Sequence, residues 1–115
     1  MNLKNTKICD LHTHTVHSDG TLTTSELVEE SLKAGLCAIA LTDHNTVGGL
    51  LEIADAAEGT ALEVALGVEF SCELNGIEFH VIGMFIDPSR FSEVLRCAAV
   101  IKSFPPPLTK RFRFS

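Results

Sequence analysis

The sequence predicts an α/β protein built on a largely parallel sheet. Apolar runs that read as strands alternate with amphipathic stretches that read as helices, in the order βαβαβ, before a hairpin strand and a last helix. One run, Leu36 to Leu41, is apolar throughout instead of alternating, as in a parallel strand buried on both faces. Residues suited to metal binding stand at successive predicted strand ends, where such sheets and βα barrels collect function.

Each element has its own signal. Ile8 to His14 reads as the first strand and Thr15 to Leu22 as a loop. Thr23 and Glu26 fit a capping box that opens a helix. Leu27, Val28, Ser31 and Leu32 form its apolar stripe, Glu29, Glu30 and Lys33 face water, and Gly35 closes it. After Leu36 to Leu41 comes Thr42-Asp43-His44. The spacing then predicts a helix over Thr46 to Ala57, opened by Gly48-Gly49 and closed by Gly59, with Leu50, Ile53, Ala54 and Ala57 inward. A third strand spans about Leu62 to Phe70 and carries Glu69. Asn75-Gly76 signals a tight hairpin into a fourth strand, Glu78 to Ile86, which contains His80. Asp87-Pro88 fits a helix start, with Phe91, Val94, Leu95, Ala98 and Ile101 as the stripe of a third helix. Pro105-Pro106-Pro107 ends regular structure, and the basic, aromatic tail through Ser115 is expected to be disordered or loosely docked.

Composition narrows the function classes. At 115 residues the chain allows one domain, expected over 1–104 with a tail over 105–115. Hydrophobic content is 45%, with seven Phe and no Trp or Tyr, so the core is aliphatic. A net charge of −6 gives no footprint for duplex nucleic acid but suits a site that holds cations. Cys9, Cys37, Cys72 and Cys97 form no Cys-x-x-Cys pair and read as buried thiols. The N-terminus has no signal-peptide pattern and no apolar run is long enough to span a bilayer, so a cytoplasmic protein without membrane contact is expected.

The chemistry centres on Asp10-Leu11-His12-Thr13-His14 and Ser18-Asp19-Gly20. Side chains alternate along a strand, so His12 and His14 point the same way, a bidentate clamp for a metal ion. Glu69 has two oxygens and can bridge two ions, while Asp19 and His44 could hold a further one. Imidazole suits zinc and iron, and carboxylate extends the choice to manganese. Adjacent divalent ions lower the pKa of a water and clamp phosphate oxygens. No nucleophile elbow or glycine-rich phosphate loop is present, and Ser18 and Ser71 read as turn or hydrogen-bonding residues. Asp43 is expected to orient a ligand. His17 is expected to be a solvated loop residue, or else a proton donor to a leaving group.

Asp-Leu-His-Thr-His, Ser-Asp-Gly-Thr-Leu, Leu-Thr-Asp-His-Asn-Thr and Gly-Val-Glu-Phe-Ser, followed by Ile-Glu-Phe-His-Val-Ile-Gly, resemble the PHP (polymerase and histidinol phosphatase) domain over about Ile8 to Asp87. The resemblance implies a distorted TIM-like βα barrel, here incomplete, with about four strands and three helices. It also implies up to three divalent ions (Mn, Zn or Fe) and phosphoester hydrolysis, in this case of nucleotides or short oligonucleotides. His12, His14 and Glu69 would hold one ion, Glu69 and His80 a second, and Asp19 and His44 a third. The family's later strands supply a further histidine and an Asp-x-His pair, and nothing after His80 matches them. The expectation is therefore a truncated enzyme, a site completed by a second chain, or a metal-binding or interaction module without turnover.

Overall fold

The computed structural model describes residues 6–90 and 112–114. Its elements are β1 (Cys9–Thr13), α1 (Thr24–Lys33), β2 (Ala38–Leu41), α2 (Leu50–Ala57), β3 (Glu63–Leu74), β4 (Ile77–Met84) and β5 (Phe112–Phe114). The sheet order is β1-β2-β3-β4, with β5 also paired to β3. β1, β2 and β3 are parallel, whereas β4 and β5 run antiparallel to β3. The predicted α/β class and its parallel core hold.

The helices explain themselves locally. Thr23 caps α1, its hydroxyl accepting from the Glu26 amide at 3.2 Å while the Glu26 carboxylate accepts from the Thr23 amide at 3.2 Å. Gly35 follows α1 at φ +79°, a left-handed position that costs glycine little. Thr24, Leu27, Val28 and Ser31 are the buried face of α1. Leu32, expected in that stripe, is 37% exposed, because 3.6 residues per turn place it about 90° from the stripe's middle. α2 begins at Leu50, not Thr46. The Thr46 hydroxyl accepts from the Gly48 amide at 3.0 Å, a local bond that competes with helix, and Gly48-Gly49 has low helix propensity. Leu50, Ile53 and Ala57 point inward as expected. Ala54 is exposed instead, since the buried face turns toward the partly buried Ala56.

Both helices press on one side of β2. Leu27 and Val28 from α1, Ile39 and Leu41 from β2, Leu50, Ile53 and Ala57 from α2, and Leu62 form a single core cluster. Ala40, on the opposite face of β2, is also buried, so this strand is covered on both sides, as its unbroken apolar run requires.

β3 changes partner along its length. Glu63 to Leu66 pair with β2, and Gly67 to Leu74 pair with β4. A Cβ on Gly67 would lie 2.7 Å from the Gly83 carbonyl oxygen, so glycine permits the close approach where β4 joins. β3 continues to Leu74, four residues past the predicted end, because β4 pairs with it up to the turn. That turn, Asn75 (φ 52°) and Gly76 (φ 79°), has both central residues left-handed, as in a type I′ hairpin.

Two α-helices stand among the described residues where three are expected. At the predicted start of the third the chain forms a 3-10 turn, Pro88–Arg90, and the rest of that helix lies outside the described residues. In the tail, Phe112–Phe114 lies antiparallel on β3, with Cys72 opposite Phe114. No described helix is long and apolar enough to cross a membrane.

Candidate metal centre

The carboxyl ends of β1 and β2 meet each other and the middle of β3, which runs on past the predicted strand end near Glu69, through backbone contacts. The Thr42 amide donates to the Thr13 carbonyl at 2.9 Å, and the Thr13 hydroxyl donates to the Ala40 carbonyl at 2.6 Å. Beyond β2, the Glu69 amide donates to the Asp43 carbonyl (3.1 Å) and the Asn45 amide to the Glu69 carbonyl (3.0 Å), which sets His44 beside Glu69. β4 brings in His80 opposite Ser71.

The loop after β1 folds back on itself. The Ser18 and Gly20 amides both donate to the Thr15 carbonyl, at 3.0 and 2.9 Å. A Cβ on Gly20 would fall 2.6 Å from the His14 carbonyl oxygen, so only glycine lets the loop close this tightly. Asp43, 1% exposed, anchors it from below. Its carboxylate accepts from the Thr15 amide, the Thr15 hydroxyl and the Ser18 hydroxyl, each at 2.7 Å. Asp43 was expected to orient a ligand, and its bonds run to the loop that carries Asp19, not to the neighbouring His44.

Glu69, 4% exposed, is the hub. Its Oε1 lies 2.6 Å from His12 Nε2, 3.0 Å from His14 Nε2 and 3.8 Å from His44 Nε2, and its Oε2 lies 3.2 Å from His80 Nδ1. Asp19 completes the group, 3.4 Å from His14 Nδ1 and 3.2 Å from His44 Nε2. Burial pushes the Glu69 carboxyl up, but the His12 hydrogen bond and the charges of His12, His44 and His14 outweigh it. The net pKa lies below the ordinary carboxylate value.

Three sets bring one possible ligand atom per residue within 4.8 Å of one another: His12, His14 and Glu69; His14, Asp19 and His44; His44, Glu69 and His80. The donor chemistry fits a cation. A neutral imidazole has one N–H for two nitrogens, yet both nitrogens of His14 face carboxylate oxygens, at 3.0 and 3.4 Å. One of them therefore turns a lone pair toward an acceptor. His14 Nδ1 is buried with no hydrogen-bond partner, since its approach to Asp19 is close enough for an ion pair but lacks hydrogen-bond geometry. A positive ion relieves that arrangement. One lone pair per ring also means that His14 and His44 each serve one set at a time, while Glu69 can serve two through its two oxygens.

The six residues singled out as ligands thus stand together. Ser71, expected to be a turn or hydrogen-bonding residue, has its hydroxyl 3.3 Å from both His44 Nδ1 and His80 Nδ1, and its amide donates to Asn45 Oδ1 at 3.2 Å. Its position between two histidines, with His80 opposite in register, becomes visible only once β3 and β4 are paired. His17 is exposed, as expected of a loop residue, and its ring turns away from the six ligands to pair with another exposed side chain, its Nε2 lying 2.8 Å from Glu52 Oε2.

Comparison with known proteins agrees with this geometry. The profile of the PHP domain family matches residues 10–102. A 5'-3' exoribonuclease from Haemophilus influenzae is 39% identical over 82 residues, 71% of this chain and 30% of that protein. A 3',5'-nucleoside bisphosphate phosphatase from Chromobacterium violaceum is 39% identical over 80 residues, 70% of this chain and 28% of that protein. A solved structure of a candidate metal-dependent phosphoesterase from Bifidobacterium adolescentis superimposes with a TM-score of 0.70 and 33% identity, covering 84% of this chain and 35% of that one. The chain spans about three tenths of the length of the curated relatives it matches. By the match of the family profile over most of its length, the chain belongs to the PHP domain family.

Proposed function

We propose that this chain carries the first half of a metal-dependent phosphoesterase site, acting on phosphoester bonds of nucleotides or short oligonucleotides. One observation carries the reading: a buried carboxylate, Glu69, in contact with four imidazoles, with Asp19 on two of the same rings. His12, His14 and Glu69 would hold one ion, Glu69 and His80 a second, Asp19 and His44 a third. Divalent manganese, zinc or iron suits these donors, and when bound supplies a water of lowered pKa and positive charge for phosphate oxygens. Glu69 keeps its negative charge at neutral pH, Ser71 orients two rings, and the Asp43-anchored loop presents Asp19. The relatives named as an exoribonuclease and a nucleoside bisphosphate phosphatase support the substrate class.

The fold reads as an incomplete TIM-like barrel of the PHP type. The cysteines Cys9, Cys37 and Cys72 are free, in keeping with a cytoplasmic setting. A second chain that extends the sheet would supply the donors that two of the three positions lack. Those two-donor positions favour one alternative, a module that binds metal without turnover. The experiment is phosphate release from a nucleoside 3',5'-bisphosphate, and shortening of a short RNA, by the purified chain with Mn2+, beside the Glu69→Gln variant. Hydrolysis lost in the variant supports the enzyme. Metal binding without hydrolysis supports the module, and hydrolysis undiminished in the variant ends the reading.

A further inference from the structure

We propose that the pair His17–Glu52 is a clasp that positions Asp19 for the ion beside His44, so that affinity at that position is set from outside the ligand group. The inference rests on the metal reading above. His17 Nε2 lies 2.8 Å from Glu52 Oε2, and the Thr24 hydroxyl donates to the same oxygen at 3.4 Å. Glu52 sits in the first turn of α2, where the helix dipole favours a carboxylate, and Thr24 is the first residue of α1. One loop side chain is therefore tied to the starts of both helices.

The sequence makes room for it. A Cβ on Gly49 would lie 2.9 Å from His17 Cδ2, and one on Gly48 would lie 3.3 Å from His17 Nδ1. The imidazole thus lies along a Gly-Gly backbone that any larger residue would crowd. This gives Gly48-Gly49 a reason that α2 does not, since the helix begins only at Leu50.

Asp19 needs such support. Its side chain is 66% exposed, and its contacts are the rings it would help to bind an ion, His14 and His44, and the Ser18 hydroxyl at 3.5 Å. Nothing buried fixes its rotamer. The backbone beneath it is held on the inner side, where Asp43 takes Thr15 and Ser18. On the outer side it is held by His17, two residues before Asp19. A ligand on a loop anchored at both sides loses less freedom when it binds an ion.

The test is a Mn2+ titration of the full chain, followed by the electron paramagnetic resonance signal of free Mn2+. It covers wild type, His17→Ala, Glu52→Ala, the double variant and His17→Gln, which keeps an N–H near the Nε2 position. Metal-free hydrogen exchange at the Asp19 and Gly20 amides is measured on the same samples. Each alanine variant is expected to weaken one Mn2+ position about tenfold and leave the others unchanged. The double variant should be no weaker than either single one, His17→Gln should recover most of the loss, and both amides should exchange faster in the alanine variants. Unchanged affinity together with unchanged exchange in His17→Ala overturns the clasp. If wild type binds no Mn2+, the metal reading fails by itself. Exchange then decides the clasp: faster in His17→Ala keeps it, unchanged refutes it.

Discussion

Replacing Asp43 tests most sharply whether the loop after β1 is held from within. Its buried carboxylate accepts three hydrogen bonds at 2.7 Å, and the Thr15 residue that supplies two of them is 0% exposed. Bonds to a charged group contribute about 1.5–3 kcal/mol each, and a buried amide left unpaired costs about 1–3 kcal/mol. Removing the carboxylate also removes the cost of burying its charge, which offsets part of the loss. The expected net effect of Asp43→Ala is about 3–5 kcal/mol, against about 5–15 kcal/mol for a whole domain. Asp43→Asn keeps an oxygen for the Thr15 amide, and the Thr15 hydroxyl can turn to accept from the new NH2. Its loss should be about 1–2 kcal/mol. The assay is guanidinium unfolding followed by far-ultraviolet circular dichroism, since the chain has no Trp or Tyr to report by fluorescence. Asp43→Ala within about 1 kcal/mol of wild type, or Asp43→Asn as damaging as Asp43→Ala, would refute the reasoning.

Other consequences can be checked on the same samples. Glu69 has a depressed carboxyl pKa, so the unfolded chain binds its proton first as pH falls, and the stability Glu69 contributes is present above the ordinary value of 4.5 and lost below it. Metal-free Glu69→Gln should lose less stability than wild type on acidification through that window, and equal acid sensitivity would contradict this. Gly20→Ala would set a methyl 2.6 Å from the His14 carbonyl oxygen, and should lower stability by about 1–3 kcal/mol while weakening metal retention. An unperturbed Gly20→Ala would show the loop to be less tightly closed. The Cys72 thiol is pushed up by burial while Cys9 is exposed, so iodoacetamide should modify Cys9 well before Cys72 in the native chain, as read by peptide mass. Equal rates would place Cys72 nearer the solvent.

Much of the fold is legible locally. The capping box at Thr23 and Glu26, the apolar run of β2 and the Asn75-Gly76 turn each specify their element through nearest neighbours. The pairing of His12 with His14 is anticipated by strand alternation, although β1 ends at Thr13 and its register shifts between Asp10 and Thr13. What stayed hidden depends on contacts distant in sequence. Gly48-Gly49 looks like a helix start until the imidazole of His17, some thirty residues earlier, is seen lying along it. Leu32 and Ala54 fit an apolar stripe by type but lie at its margin by rotation. Ser71 shows its place between His44 and His80 only once β4 is in register. Asp43 sits next to a ligand in sequence, yet its carboxylate serves a loop 25 to 28 residues away.

The most direct test of the metal centre is the metal content per chain, measured by elemental analysis after equilibration with Mn2+ or Zn2+ and removal of the free ion, on wild type and Glu69→Gln together. One or more ions retained per wild-type chain, and lost in Glu69→Gln with the circular dichroism spectrum intact, is the predicted result. A folded wild-type chain that retains none, or a Glu69→Gln chain that retains as many as wild type, would contradict the site built here around Glu69.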